Sequence, residues 1–170
     1  SDVGATAVKA APQADGSYAL SGEKWFCSNA DADLAMVLAR IDGAPEGLRG
    51  VSLFLLPRQL ADGSPNRYRI VRLKDKLGTR KVPTAELLLE GAPAELVKST
   101  DHGVRDIVPM LVVTRAWNSV CAIAAMRRGV ALARDYAFRR TAFGRPLSEQ
   151  PLHLETLAGL QAELEGAFHL

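Results

Sequence analysis

Near Val104 the spacing of apolar residues changes from two residues to about 3.6, and no other feature restricts the fold as much. Upstream, short runs rich in β-branched and aromatic residues alternate with turn-forming pieces. The predicted strands are 18–29, 34–41, 51–56, 68–73 and 85–89. Between them lie Gly-, Pro- and Asp-bearing stretches at 12–16, 42–50 and 61–66. Several short strands with frequent turns predict a small barrel or sandwich. The run Val51-Ser52-Leu53-Phe54-Leu55-Leu56 is almost continuously apolar and predicts a central strand.

Downstream, Leu111, Val112, Arg115, Val120, Ile123, Ala124, Met126 and Val130 keep to one helical face. Thr100 or Asp101 provides a cap region, and Pro109 is tolerable only near the start of that helix. The pattern runs to about Thr141; a helix of about 30 residues is about 45 Å long. Ser148 is the expected N-cap of a following helix, with Pro151 in its first turn and Leu154, Leu157, Leu160 and Leu164 as its apolar stripe. Two such helices cannot bury their apolar faces against each other alone, so the pattern predicts part of a four-helix bundle. The expected division is 1–98 and 99–170.

Composition narrows the class further. A hydrophobic content of 48% supports a core, and a formal charge of +2 argues for neither nucleic acid nor an anionic membrane. We expect no membrane span and see no signal-peptide pattern. Cys27 and Cys121 fall on separate predicted elements, so no disulfide framework is expected, and a reducing cytoplasm is the default location. The chain starts at Ser1 without Met and stops at Leu170 inside a helical pattern, and we read it as part of a longer protein. His102, His153 and His169 lack metal-ligand spacing, and neither a Walker loop, a dinucleotide-binding glycine fingerprint nor a Ser-His-Asp set can be argued.

Between the two helical patterns lies Arg140-Thr141-Ala142-Phe143-Gly144-Arg145-Pro146-Leu147, followed by Ser148-Glu149-Gln150-Pro151. Arg140 and Gln150 flank a Phe-Gly turn and supply donors suited to a phosphate or an extended polar ligand. Read alone, Arg140 is more simply a solvated cation at a helix C-terminus that binds nothing. Arg127, Arg128, Arg134, Arg139 and Arg145 extend the basic stretch, but Asp135 and Glu149 interrupt it. A solvated helix face explains it better than a nucleic-acid surface.

The stretch Arg-x-x-Phe-Gly-x-Pro-Leu-x-x-Gln resembles the flavin-contacting turn of the acyl-CoA dehydrogenase family. Ser1-Asp2-Val3-Gly4-Ala5-Thr6 resembles the end of that family's Thr-Glu-x-x-x-Gly-Ser-Asp segment. Gly22-Glu23-Lys24-Trp25-Phe26-Cys27-Ser28-Asn29 is similar to its Gly-x-Lys-x-Trp-Ile-Thr-Asn strand. More narrowly, Lys24-Trp25-Phe26, Pro57-Arg58, Arg72 to Gly78, Met126-Arg127-Arg128 and Gln150-Pro151-Leu152 resemble the AidB-like branch, which is linked to the bacterial response to DNA alkylation. The resemblance covers nearly the whole chain. It implies an α+β architecture: the middle β-barrel, then long helices of a truncated four-helix bundle.

It also implies FAD as cofactor and an acyl-CoA as substrate, in a homodimer or homotetramer. The implied flavin contacts are Ser1, Phe26, Cys27, Ser28, Arg140, Phe143 and Gln150. Phe26 matches the flavin-facing Trp, although Trp25 is the larger aromatic, and Ser28 matches a Thr that bonds the ring. Strand alternation sets Phe26 and Ser28 on one face and Trp25 and Cys27 on the other. Arg140 and Gln150 match residues that reach the diphosphate side of the cofactor. Glu149 lies at a cofactor-approaching position but is more simply a helix N-terminal carboxylate.

Family chemistry is α,β-dehydrogenation, with a Glu removing the α-proton. One family position for that Glu lies beyond Leu170 and the other falls on Thr114, so no catalytic residue is expected within this chain. Ser1 and Arg115 are the implied substrate contacts, but Val112 stands where the family's Asp-x-Thr-Arg stretch has Asp. That departure argues against ordinary straight-chain recognition; short branched acyl chains are the separate expectation for the substrate. The alternative is a flavoprotein of the DNA-alkylation response that binds DNA and turns over little substrate.

Overall fold

A computed structural model describes residues 2–98 and 100–170. Its elements are β1 (Lys9–Pro12), β2 (Tyr18–Cys27), β3 (Leu34–Ile41), β4 (Val51–Pro57), β5 (Tyr68–Leu73), β6 (Ala85–Leu96), α1 (Gly103–Arg139), β7 (Thr141–Ala142), β8 (Arg145–Pro146) and α2 (Pro151–His169). The chain folds as two compact units, one ending at Pro109 and the other beginning at Met110. Pro109 has no N–H to donate to the carbonyl of Arg105 one turn back, and it lies inside α1.

The first unit is a closed barrel. Neighbouring strands run β2-β1-β3-β4-β6, and β2 pairs with β6 to complete the ring, while β5 lies along β6. All pairings are antiparallel except β1 with β3. Closure leaves the five-strand ring without an unpaired edge. Its interior holds Val8, Leu20, Phe54, Leu56 and Leu89, with Tyr18 edge-on to Phe54 at 5.1 Å between ring centroids.

The apolar run in β4 has a two-sided cause. Phe54 and Leu56 face the barrel interior. On the opposite face Val51 and Leu53 are buried as well, while Ser52, in step with Phe54 and Leu56, is fully buried and its hydroxyl donates to the Thr100 carbonyl at 2.6 Å. The first residue of α1, Gly103, approaches so closely that a Cβ there would lie 2.4 Å from the Ser52 carbonyl carbon.

Two strand features escaped the sequence reading. The four-residue β1 was not expected. β6 runs to Leu96 rather than 89 because Gly91 and Pro93 do not break it. Gly91 adopts φ 73 at a bulge opposite Leu20 and Ser21, and its N–H donates to the Ser21 hydroxyl at 3.1 Å. Pro93 pairs with Ala19, and its carbonyl accepts from the buried Asn66 amide at 3.0 Å.

In the second unit α2 runs back along the C-terminal half of α1. The two enclose a groove of about 420 Å³ lined by Ile123, Val130, Leu164 and Phe168. Among the described residues of this unit the buried apolar side chains are Val130, Ala137 and Leu164. Val112, Val113, Trp117 and Val120 on α1 are all more than half exposed. That is what two helices of a larger bundle look like alone. Our expectation of no membrane-length apolar run needs correcting. An 18-residue window of α1 has mean hydropathy 1.5, so by length and composition this helix can cross a membrane. Small and β-branched residues around its whole circumference produce that average, a pattern shared by helices buried in protein.

The expected start of the second helix is also corrected. Leu147–Glu149 forms a 3-10 turn and the N-cap is Gln150, not Ser148, with Pro151 as the first helical residue.

Candidate functional site

In the first unit the site forms where β2 ends. Between Lys24 and Cys27 the pairing with β6 slips: three steps along β2 oppose two along β6, from Leu87 to Ala85. The extra residue is accommodated at Phe26, whose φ is 62. A bulky side chain in the left-handed region costs about 1–2 kcal/mol. The bulge cancels the alternation expected from the sequence. Trp25 and Phe26 both point outward, 64% and 52% exposed, with their ring centroids 6.0 Å apart. The choice between them therefore dissolves, since both wall the same cleft of about 280 Å³.

The opposite wall comes from β5. Arg72 lies in β5 and Lys74 just past its end, and both line the cleft. The Arg72 guanidinium is 5.7 Å from the Trp25 ring, and the Lys74 ammonium is 3.9 Å from the centroid of Phe26. Glu86 accepts from Arg72 Nε at 2.8 Å and lies 2.7 Å from its Nη2, which holds the guanidinium still more firmly charged. The sequence reading singled out neither cation, although the Arg-x-Lys spacing beside an aromatic pair was a usable signal.

Cys27 and Ser28 follow the bulge. Cys27 packs against the small apolar cluster of Ala30, Ala85 and Leu87, with its Sγ 3.8 Å from the Lys24 carbonyl. Burial pushes its thiol above the ordinary range, and burial likewise lowers the Lys24 ammonium, which donates to the Leu38 carbonyl at 2.6 Å. Ser28 is exposed, and its carbonyl accepts from the Thr84 hydroxyl at 3.4 Å at the floor of the cleft. Ser1 lies outside the described residues.

In the second unit the Phe-Gly turn is a tight β-hairpin rather than an open loop. Thr141 pairs with Pro146 and Ala142 with Arg145, leaving Phe143 and Gly144 as a two-residue loop with φ 52 and 80. Two positive φ values match the right-handed twist of a hairpin. Phe143 is 97% exposed at its tip. Gln150 donates from Nε2 to the Ala142 carbonyl at 3.0 Å, and the Leu147 N–H donates to the Arg140 carbonyl at 2.8 Å. Arg140 is exposed, and its side chain makes no hydrogen bond among the described residues. The hairpin thus brings Arg140, Phe143 and Gln150 together. It does not include Arg115, which lies 25 residues earlier on α1, about 37 Å along a helix. Glu149 is exposed in the 3-10 turn. Arg127 and Arg134 line one groove between the two helices.

Three non-glycine residues among those described have positive φ: Phe26, Thr79 and Phe143. Two of them are the aromatic residues that the flavin resemblance singled out. Both aromatics are held outward by strained backbone, and Phe26 has the Lys74 ammonium over its ring, a surface suited to a planar anionic group.

Residues 1–92 match the model of the acyl-CoA dehydrogenase middle domain, and residues 101–170 that of the acyl-CoA dehydrogenase C-terminal domain. The chain belongs to the acyl-CoA dehydrogenase family. It is 39% identical over 166 residues to the putative acyl-CoA dehydrogenase AidB of Escherichia coli K12, covering 98% of this chain and 30% of that protein. The structure of Caenorhabditis elegans ACDH-11 in complex with C11-CoA matches with a TM-score of 0.88 and 46% identity, over 97% of this chain and 29% of that one. A Bacillus anthracis acyl-CoA dehydrogenase complexed with FAD matches with a TM-score of 0.76 and 27% identity, over 94% and 26%. The chain therefore spans between a quarter and a third of the length of these relatives. The closed barrel followed by long helices is the family architecture that the sequence implied.

Proposed function

We propose that this chain supplies flavin-holding surfaces of an FAD-dependent acyl-CoA dehydrogenase. The observation that carries the reading is the bulge at Phe26. It pushes two adjacent aromatics over a cleft whose other wall is Arg72 and Lys74. A tricyclic ring needs an apolar wall and donors or charges at its polar edge, and this cleft offers both. When bound, FAD accepts the hydride removed from the β-carbon of the acyl chain.

The chain's own residues bind and orient. Phe26 and Trp25 pack against the ring, and Arg140 offers its planar fork to diphosphate oxygens. Phe143 covers the same part of the ligand, and Gln150 keeps the hairpin in shape. Thr114 stands at one of the two family positions for the α-proton base. Its hydroxyl donates to the Leu111 carbonyl at 2.9 Å, and a neutral hydroxyl does not take up the α-proton near pH 7. We therefore assign no catalytic base to this chain. The assembly of the intact protein as a homo-oligomer and a cytoplasmic location belong to the same proposal.

The substrate class is an acyl-CoA, supported by the ACDH-11 complex with C11-CoA. Val112 in place of the family Asp argues for a chain other than the common straight ones, and short branched acyl groups are our first choice. The test is the visible spectrum of the purified intact protein before and after isovaleryl-CoA or C11-CoA. Bleaching by isovaleryl-CoA supports the branched-chain reading, and bleaching by C11-CoA alone replaces it with a longer chain. A flavin band that neither thioester bleaches removes both as substrates. A protein that holds no flavin after reconstitution with FAD refutes the cofactor assignment.

A further inference from the structure

Lys74 has an unusual position for an exposed lysine at the end of a strand. Its ammonium is not in solvent-facing partnership with a carboxylate but lies over the face of Phe26, 3.9 Å from the ring centroid. Its backbone is fixed, since its N–H donates to the Thr84 carbonyl at 2.8 Å. The neighbouring cation, Arg72, is held by Glu86 at 2.7 Å. Asp75 and Glu86 also line the cleft, but among the described residues neither forms an ion pair with Lys74: Glu86 pairs with Arg72, and Asp75 lies 3.9 Å from Arg80. The aromatic quadrupole gives an ammonium only about 0.5–1 kcal/mol at an exposed site, little enough for a ligand to compete with or add to.

From this geometry we infer that Lys74 is a cofactor-tuning residue, whose ammonium faces the flavin ring and favours its reduced form. The inference rests on the proposal that the Phe26 cleft holds the isoalloxazine. Reduction of that ring by two electrons and one proton leaves it with one negative charge. A fixed cation a few ångströms away stabilises that charge, more so once the ring has displaced water from the cleft. Arg72 contributes less, because Glu86 offsets it. The pairing with Phe26 presets the position of the ammonium, so little side-chain ordering accompanies cofactor binding.

The experiment compares the intact, FAD-reconstituted protein with Lys74→Gln, Lys74→Met and Lys74→Arg. The readouts are FAD content, far-ultraviolet circular dichroism and the midpoint potential of the bound flavin. We expect Lys74→Gln and Lys74→Met to lower the potential by about 30 mV, the equivalent of a tenfold change for a two-electron couple. Lys74→Arg restores it. Folded variants that lose FAD while Lys74→Arg keeps it also place the cation at the ring. Potentials that match the parent protein in both charge-removing variants, with normal FAD content, overturn the inference and leave the cofactor assignment standing. Failure of the parent protein to bind FAD instead refutes the assignment on which the inference rests.

Discussion

The Gln150 side-chain amide donates to the Ala142 carbonyl at 3.0 Å, so the residue that caps α2 also clamps the hairpin before it. Its side chain holds the turn that displays Phe143, and its backbone carbonyl opens the next helix by accepting from the Leu154 N–H at 3.0 Å. Gln150→Ala should destabilise the protein by about 1 kcal/mol through the lost hydrogen bond. It should also weaken FAD binding, by letting the hairpin relax. Urea denaturation and FAD titration of the variant check the two effects. Unchanged FAD affinity would make Gln150 purely structural.

Arg140 separates binding from folding more cleanly. Its side chain is exposed and makes no hydrogen bond among the described residues, so Arg140→Ala should leave the denaturation midpoint nearly unchanged. A lost charge-assisted contact to a diphosphate corresponds to about 1.5–3 kcal/mol, roughly ten- to a hundredfold in the FAD dissociation constant. An unaltered constant removes Arg140 from the site.

Phe26 couples strain to binding. With φ 62, Phe26→Gly should relieve about 1 kcal/mol of left-handed strain while removing the aromatic wall. The expected variant is no less stable than the parent but has a shifted flavin absorption band and weaker cofactor retention. Thermal melts and visible spectra measure both. A variant with lower stability and an unshifted band would show that Phe26 serves packing instead.

Gly103 is required for the seat of α1 on β4. A Cβ there would lie 2.4 Å from the Ser52 carbonyl carbon and 2.6 Å from the Leu53 nitrogen. Backbone cannot move aside as a flexible side chain can. Gly103→Ala should therefore cost about 1–3 kcal/mol despite alanine's better helix propensity. A more stable variant in chemical denaturation would contradict the close approach.

Cys27 and Lys24 give the barrel opposite responses to alkali. Burial raises the folded Cys27 thiol above its ordinary value of 9.0, so the unfolded chain ionises first and stability falls as pH rises through that value. Burial lowers folded Lys24 below its ordinary 10.5, so the unfolded chain holds its proton longer and stability rises with pH approaching that value. Cys27→Ala removes the falling component alone. Its stability relative to the parent should increase between about pH 8 and 10 in denaturant melts. A difference that stays flat with pH would mean the thiol titrates normally.

The sequence by itself determined the order of the architecture and the family to which the chain belongs. A period of two places apolar residues on one face of a strand and a period of 3.6 on one face of a helix, so the barrel-then-helix order was legible. Arg140, Phe143 and Gln150 were singled out by the resemblance of their turn to that of the family, and the hairpin brings them together. Tertiary structure decided what depends on a partner. β1 exists because the free edges of β2 and β3 accept it, and four residues carry no period of their own. Whether Trp25 or Phe26 faces the cleft was undecidable from alternation, because the bulge is set by the register against β6. Lys74 joined the site for the same reason: only cross-strand pairing brings β5 alongside β6, and so sets its ammonium over the Phe26 ring.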